Sequence, residues 1–206
     1  MNHASDSTLL EAYQAGRTHA FTVLVERYQG RLLRYARFLP GGGDQAEDVV
    51  QEVFLRLART PPALPVEAGP DRLQGRSRLA SWLFRVTRNC AMERIRSDSR
   101  RRLRERSAAM LEASEGGQQM VEANDTRQAV ERCLDQLKQD QREVLVLRLF
   151  EDRSYREISE ITGKRNGTVA WLISEGLKSL SRSLSPVLAK NPHPASRIGE
   201  LKGESR

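Results

Sequence analysis

The chain has 206 residues and a formal net charge of +7, and 29 of its 34 basic residues are Arg; that length holds one or two domains, each able to bury its own core. No apolar run approaches the ~18 residues needed to span a bilayer, Met1 to Thr8 is polar without a signal-peptide core, and Cys90 and Cys133 stand alone with no Cys or His partner at ligand spacing. These features exclude a membrane-spanning or disulfide-framed protein and predict a cytoplasmic one with no metal and no cofactor, its two thiols behaving as small buried apolar groups.

Almost every periodic segment reads as helix, and the predicted class is all-α. A first block spans about Asp6 to Phe38: Leu9, Leu10 and Tyr13 precede Gly16, then Phe21, Leu24, Val25, Tyr28, Leu32, Tyr35 and Phe38 follow at three- and four-residue steps. Pro40-Gly41-Gly42-Gly43 stops it. Asp44 with Glu47 has capping-box spacing and opens a helix to about Arg59, which Pro61-Pro62 ends; Pro61 to Gly75 reads as a loop. A long basic helix runs from about Ser77 to Arg102. Residues 103–125 are small, polar and Gly-containing and read as a flexible linker. A second unit begins near Thr126, with Ala129, Val130, Cys133, Leu134 and Leu137 on one face. Asp140 and Glu143 repeat the capping-box spacing ahead of Val144, Leu145, Leu147 and Phe150.

The stretch from Ser154 to about Leu180 reads as a helix-turn-helix. Ser154 and Glu157 form a further capping-box pattern, Ile158 and Ile161 give the first helix an apolar face, and Gly163 breaks it. Val169, Leu172, Ile173, Leu177, Leu180 and Leu184 recur at helical spacing in the second. Ser159, Gly163 and Val169 lie four and six residues apart, which lets two short helices cross closely and present the second to a DNA major groove. An ordinary helical hairpin satisfies the same pattern. From Pro186 the tail reads as disordered.

Charge is unevenly placed. Arg72 to Arg106 holds twelve Arg against Glu93, Asp98 and Glu105, a local net of +9 that leaves the remainder slightly acidic; a band of this kind suits a polyanion. Within it Trp82, Arg85, Arg88 and Asn89 share one helix face, as suits unstacked single-stranded bases, although Trp82 serves a core equally well. Leu83, Val86 and Cys90 read as core. The helix over residues 44–59 places Ala46, Val49, Val50, Val53, Phe54 and Leu57 inward and leaves Asp48, Gln51, Glu52, Leu55 and Arg56 outward, either as a solvated face or as a surface for a partner.

Taken together these segments resemble a known family. Asp44 to Leu57 resembles the polymerase-binding helix of sigma-70 initiation factors, Ser81 to Asn89 the helix that reads and melts the −10 element, and Gln141 to Arg148 with Ser154 to Ile161 the −35 reading domain. The layout is that of the extracytoplasmic-function group. The resemblance implies two small helical domains joined by a flexible linker, residues 6–102 and 126–185, the second a four-helix domain with the helix-turn-helix. It implies a sigma factor, not an enzyme, whose partners are core RNA polymerase, promoter DNA (duplex at −35, melted at −10) and an anti-sigma factor. By the same resemblance Asp48, Gln51, Glu52 and Leu55 contact the polymerase. Gln74, Arg76, Ser77 and Arg78 hold the extruded −10 base, with Trp82, Arg85, Arg88 and Asn89 supporting the open strand. Arg153, Lys164, Arg165, Asn166, Thr168, Ala170, Trp171, Ser174 and Lys178 face −35 DNA.

One segment departs from the family pattern. After Val169 the recognition helix reads Ala170-Trp171-Leu172-Ile173-Ser174-Glu175-Gly176, with no basic residue and one acid, which removes phosphate contacts. Trp171 there packs into the domain, touches a thymine methyl or sugar, or meets a protein partner. Two other readings stay open: a two-domain helix-turn-helix regulator, against which the basic aromatic helix argues, and a sigma-like adaptor that no longer reads promoters.

Overall fold

The computed structural model describes residues 4–40, 43–63, 77–108 and 132–190. Seven helices carry them: α1 (Asp6–Gln14), α2 (Thr18–Phe38), α3 (Ala46–Arg59), α4 (Arg78–Ala108), α5 (Gln139–Leu149), α6 (Tyr155–Thr162) and α7 (Asn166–Lys190), with a short helical stretch at 132–135 ahead of α5. The all-α expectation holds, with no strand among the described residues.

The Ser5 hydroxyl caps α1 by accepting from the Thr8 N–H at 3.1 Å, and Gly16, at φ +86, turns the chain into α2 in a conformation that glycine adopts without strain. Leu24, Tyr28, Leu32 and Tyr35 are fully buried and put one stripe of α2 against α1, α3 and α4. Burying one such side chain contributes about 1.5–3 kcal/mol, against about 0–1 for an exposed ion pair, so this stripe and not the arginine coat holds the helices together. The buried Asp6 carboxylate accepts from Arg27, from the Tyr28 hydroxyl and from the Ser77 hydroxyl, tying α1 to α2 and to the start of α4. Burial and that carboxylate push the Tyr28 phenol far above its usual range, so it stays a donor.

Three boundaries differ from expectation. Asp44 does not cap α3: the Ala46 N–H bonds the Gly43 carbonyl at 3.3 Å, the helix begins two residues later, and Gln45 sits at its start without capping it, its side-chain amide donating instead to Asp98 at 3.4 Å. Helix α4 continues to Ala108, into the expected linker, because Leu103-Arg104-Glu105-Arg106 are all good helix formers. Helix α7 continues through Pro186 to Lys190, absorbing the main-chain bond that proline forfeits in its closing turns. The rest of the expected linker, Thr126, Ala129 and Val130, and the tail from 191 lie outside the described residues.

Helix α5 is buried nearly all round, at Gln141 and from Glu143 to Leu147, because α6 and α7 cover one side and α2 the other. Gly176 of α7 makes the α5 crossing close: a Cβ there would stand 2.8 Å from Leu145 Cδ1. The α7 stripe is Val169, Leu172, Ile173, Gly176 and Leu180; Leu177, expected inside, is 42% exposed. Cys90 and Cys133 are free and buried as expected, and burial raises the Cys90 thiol. The two helical units also pack on one another, α2 against α5 and α4 against α6.

Candidate nucleic-acid and partner interfaces

The outward ridge of α3 forms as the period predicts. Ala46, Val49, Val50, Val53 and Leu57 are buried and Phe54 half-buried, which leaves Asp48, Gln51 and Leu55 exposed and Glu52 half-buried. Asp48 accepts from Arg94 at 3.0 Å and Glu52 from Arg56 at 2.9 Å. The Glu52 bond, joined by Glu93, raises the Arg56 guanidinium above its usual range. Beside this ridge a groove of about 580 Å³ runs between α2 and α3, lined by Phe21, Val25, Leu33, Phe54 and Leu55 with Asp48 and Gln51 at its lip. An apolar groove edged with acid suits a partner helix carrying apolar and basic groups.

On α4, Ser77 is buried and caps the helix by accepting from the Ala80 N–H at 3.1 Å, with its hydroxyl also against Asp6 and Tyr28. It is therefore not open to a base in this arrangement, contrary to its expected place in the −10 loop. Arg78, Arg85 and Asn89 are exposed and Trp82 is half-buried. Leu83, Phe84 and Cys90 are core and Val86 packs on it half-buried. Gln74 and Arg76 lie outside the described residues. Arg88 turns from the strand-binding face and donates to Glu143 of α5 at 2.8 Å. A cleft of about 570 Å³ separates Arg78, Ser81, Trp82 and Arg85 from Arg156, Glu157 and Glu160 of α6.

The helix-turn-helix is built as its sequence predicts. The Ser154 hydroxyl accepts from the Glu157 N–H at 3.3 Å, and the Glu157 carboxylate accepts from the Ser154 N–H at 2.8 Å. Burial alone would raise that carboxyl, but the bonds from Ser154 and the nearby Arg153 outweigh it and leave Glu157 below its usual range. Gly163, at φ +72, ends α6 in the left-handed conformation, and the Ser159 hydroxyl donates to the Lys164 carbonyl across the turn. Arg165, Asn166, Thr168, Trp171, Ser174 and Lys178 are exposed and Ala170 half-buried. Lys164 is paired with Asp140 at 2.9 Å, and Lys178 with Glu175 at 2.8 Å.

Packing removes one of the three readings of Trp171 and overturns the expectation for Arg153. Trp171 does not pack into the domain: it is 61% exposed, because the buried stripe of α7 passes through Val169, Leu172 and Ile173 and leaves position 171 outside. Arg153 does not face DNA. It is fully buried, donates to Glu157 at 3.0 Å and stacks 4.9 Å over the Phe84 ring. Its Nε and Nη2 have no hydrogen-bond partner, and burial lowers its guanidinium pKa; the ring face supplies part of the lost solvation.

A third set of residues escaped the sequence reading. Glu143, expected to close a capping box, instead accepts from the Tyr35 hydroxyl at 2.9 Å and from Arg88, while α5 begins at Gln139 behind Lys138, which makes no side-chain cap. Glu151, buried, accepts from Arg31 at 2.7 Å and Arg34 at 3.3 Å; its burial outweighs the two cations and raises its carboxyl. These partners lie from 55 to 120 residues apart, so no local spacing announces them.

Two family profiles match the chain: "Sigma-70 region 2" over residues 24–101 and "Sigma-70, region 4" over residues 127–180. The chain is 30% identical to the ECF RNA polymerase sigma factor BldN of Streptomyces coelicolor over 85% of its own length and 64% of that relative's, so it spans less than two thirds of BldN. It is 28% identical to the ECF RNA polymerase sigma-E factor of Escherichia coli over 90% of its own length and 97% of that protein's. Among solved structures it is similar to the sigma factor RpoE of Bartonella quintana in complex with the anti-sigma factor NepR, with a TM-score of 0.59 and 22% identity over 80% and 96% of the two chains. It is also similar to CnrH in complex with the cytosolic domain of CnrY, with a TM-score of 0.54 and 23% identity over 89% and 99%. These two likenesses concern the fold. Among the described residues no helix is long and apolar enough to cross a membrane.

Proposed function

The chain belongs to the sigma-70 family of RNA polymerase sigma factors, in its extracytoplasmic-function group, and on that premise we propose that it recruits core RNA polymerase and directs initiation at promoters with paired −35 and −10 elements. Residues 6–102 act as the polymerase-binding and −10 melting domain, residues 126–185 as the −35 domain, and residues 103–125 link them. The polymerase docks on the α3 ridge and its groove through Asp48, Gln51, Glu52 and Leu55. The melted −10 strand lies along Trp82, Arg85 and Asn89, and α7 enters the −35 major groove. The protein binds and positions; nucleotide addition belongs to the polymerase. An anti-sigma partner and a cytoplasmic location complete this reading.

The observation that carries it is the division of labour between α3 and α4. Each spends its apolar stripe on the shared core, and their free faces are opposite in kind, acidic and apolar on α3 and basic and aromatic on α4. Flipping a base costs a few kcal/mol, which stacking on Trp82 and charge from Arg78 and Arg85 offset. Loading that strand also requires α6 to withdraw from α4, since α6 forms the opposite wall of the cleft over Trp82.

The test is to reconstitute core polymerase with the full chain and select transcribed fragments from a promoter library. Initiation from fragments that share two spaced elements is the expected result; absence of core binding overturns the reading. Core binding without initiation on any fragment supports the sigma-like adaptor instead, for which the specific observation is an outward arc of α7 with no basic residue between Arg165 and Lys178.

A further inference from the structure

We infer that Trp171 reads thymine methyl groups in the −35 duplex and sets the sequence preference of this chain there; the inference rests on α7 being the −35 reader. Trp171 is the sixth residue of α7, within the N-terminal part of a recognition helix that meets base edges. Its indole is 61% exposed on the side of the helix opposite Val169 and Ile173, both buried.

The surroundings of the indole are shaped for close approach. Thr168 and Ser174, its neighbours on the outward arc, are small and exposed, and around Gly167 an added Cβ would meet nothing within 4 Å. Trp171 is therefore the group that reaches furthest from this part of the helix. Cations stand only at the ends of the arc, Arg165 before it and Lys178 and Arg182 after it. Arg165 and Lys178 are thirteen residues apart, about 20 Å along a helix, which brackets a major groove about 12 Å wide. Phosphates are thus met at the two ends, where Lys178 also pairs with Glu175 at 2.8 Å, while the centre of the arc, in place of a cation, offers a flat apolar ring to the groove floor.

In the major groove only thymine presents a methyl group, and it is read by apolar contact. Arginine or asparagine at position 171 would favour guanine or adenine by hydrogen bonds; an indole face has its best partner in the methyl. A single buried methyl changes binding roughly fourfold, from about 0.8 kcal/mol per buried carbon.

The test uses the full chain bound to core polymerase and the promoter obtained by selection. Each −35 thymine is replaced in turn by deoxyuridine, which differs only in the missing methyl, and binding is measured by competition. The expected result is a roughly fourfold loss at one or two positions for the natural chain, no loss at those positions for Trp171→Ala, and a retained loss for Trp171→Phe. Because the side chain is exposed, Trp171→Ala keeps the thermal midpoint, which is checked in parallel. A −35 preference that is indifferent to uracil, or a uracil penalty unchanged in Trp171→Ala, overturns this inference while leaving −35 reading intact. A selection that returns no −35 preference at all overturns both. Unaltered promoter selection by Trp171→Ala together with lost binding to an anti-sigma protein assigns the indole to a protein partner and also overturns it.

Discussion

Arg88 of α4 and Glu143 of α5 form an ion pair at 2.8 Å that joins the two helical units, and the same carboxylate oxygen accepts from the buried Tyr35 hydroxyl. Neither residue keeps the place its local sequence suggested, on a strand-binding face and in a capping box respectively. Burial and the nearby carboxylate raise the Tyr35 phenol well above its usual range, so it remains a donor. The pair sits at a join between a proposed −10 domain and a proposed −35 domain, and its strength bears on how readily they part.

Glu143→Ala leaves a buried phenol and a partly buried guanidinium without their acceptor. Removing one partner of a buried pair costs about 3–5 kcal/mol, and Arg88 retains some solvent, so a loss near the lower end is expected. Urea unfolding measures it. Limited proteolysis is the companion readout: cleavage between the two units becomes faster in Glu143→Ala than in the natural chain.

Asp48→Arg combined with Glu52→Arg abolishes core-polymerase binding in pull-down or polarisation assays while leaving the fold in place. The substitutions break only the exposed Asp48–Arg94 and Glu52–Arg56 pairs, each worth about 0–1 kcal/mol. A thermal midpoint that collapses in the double variant, or polymerase binding that survives it, contradicts the assignment of the α3 ridge.

The acid side of the stability profile carries a contribution from Glu157. Its carboxyl is lowered in the folded chain, so the folded state binds fewer protons than the unfolded one across that window. The stabilisation is full above the ordinary glutamate range and is lost as pH falls through the lowered folded value. Urea midpoints compared between pH 7 and pH 3 drop more for the natural chain than for Glu157→Gln. Ser154→Ala removes the other half of the box and costs about 1 kcal/mol at neutral pH.

Two glycines of α7 respond oppositely to alanine. At Gly167 a Cβ meets open space, and the gain in helix propensity stabilises the chain by up to about 1 kcal/mol. At Gly176 the Cβ would press on fully buried Leu145, 2.8 Å away. Overpacking there costs about 1–3 kcal/mol, which exceeds the propensity gain. Thermal midpoints of the two single variants, shifted in opposite directions, check both.

Much of the fold was legible because its signals are local. The three- and four-residue steps of Leu24, Tyr28, Leu32 and Tyr35, the reciprocal Ser154 and Glu157 box, and Gly163 at a helix end each report the conformation of a single turn or stripe. The same locality misled where two outcomes share one spacing. Asp44 with Glu47 and Asp140 with Glu143 match the capping pattern as well as Ser154 with Glu157 does. In the third case the Glu157 carboxylate turns back on its own helix, whereas Glu143 is taken by Tyr35 and Arg88 and Asp140 by Lys164.

Residue order alone established the helical class, the helix-turn-helix, the inward stripe of α3 and the placement of basic and acidic faces, since each depends on periodicity within one element. Which exposed or charged group faces solvent, a core or the other unit was settled by packing between elements distant in the chain. Arg153 went onto the Phe84 ring, Ser77 to Asp6, and Trp171 outward, because burial is a property of the neighbours a side chain meets, and those neighbours come from elsewhere in the sequence.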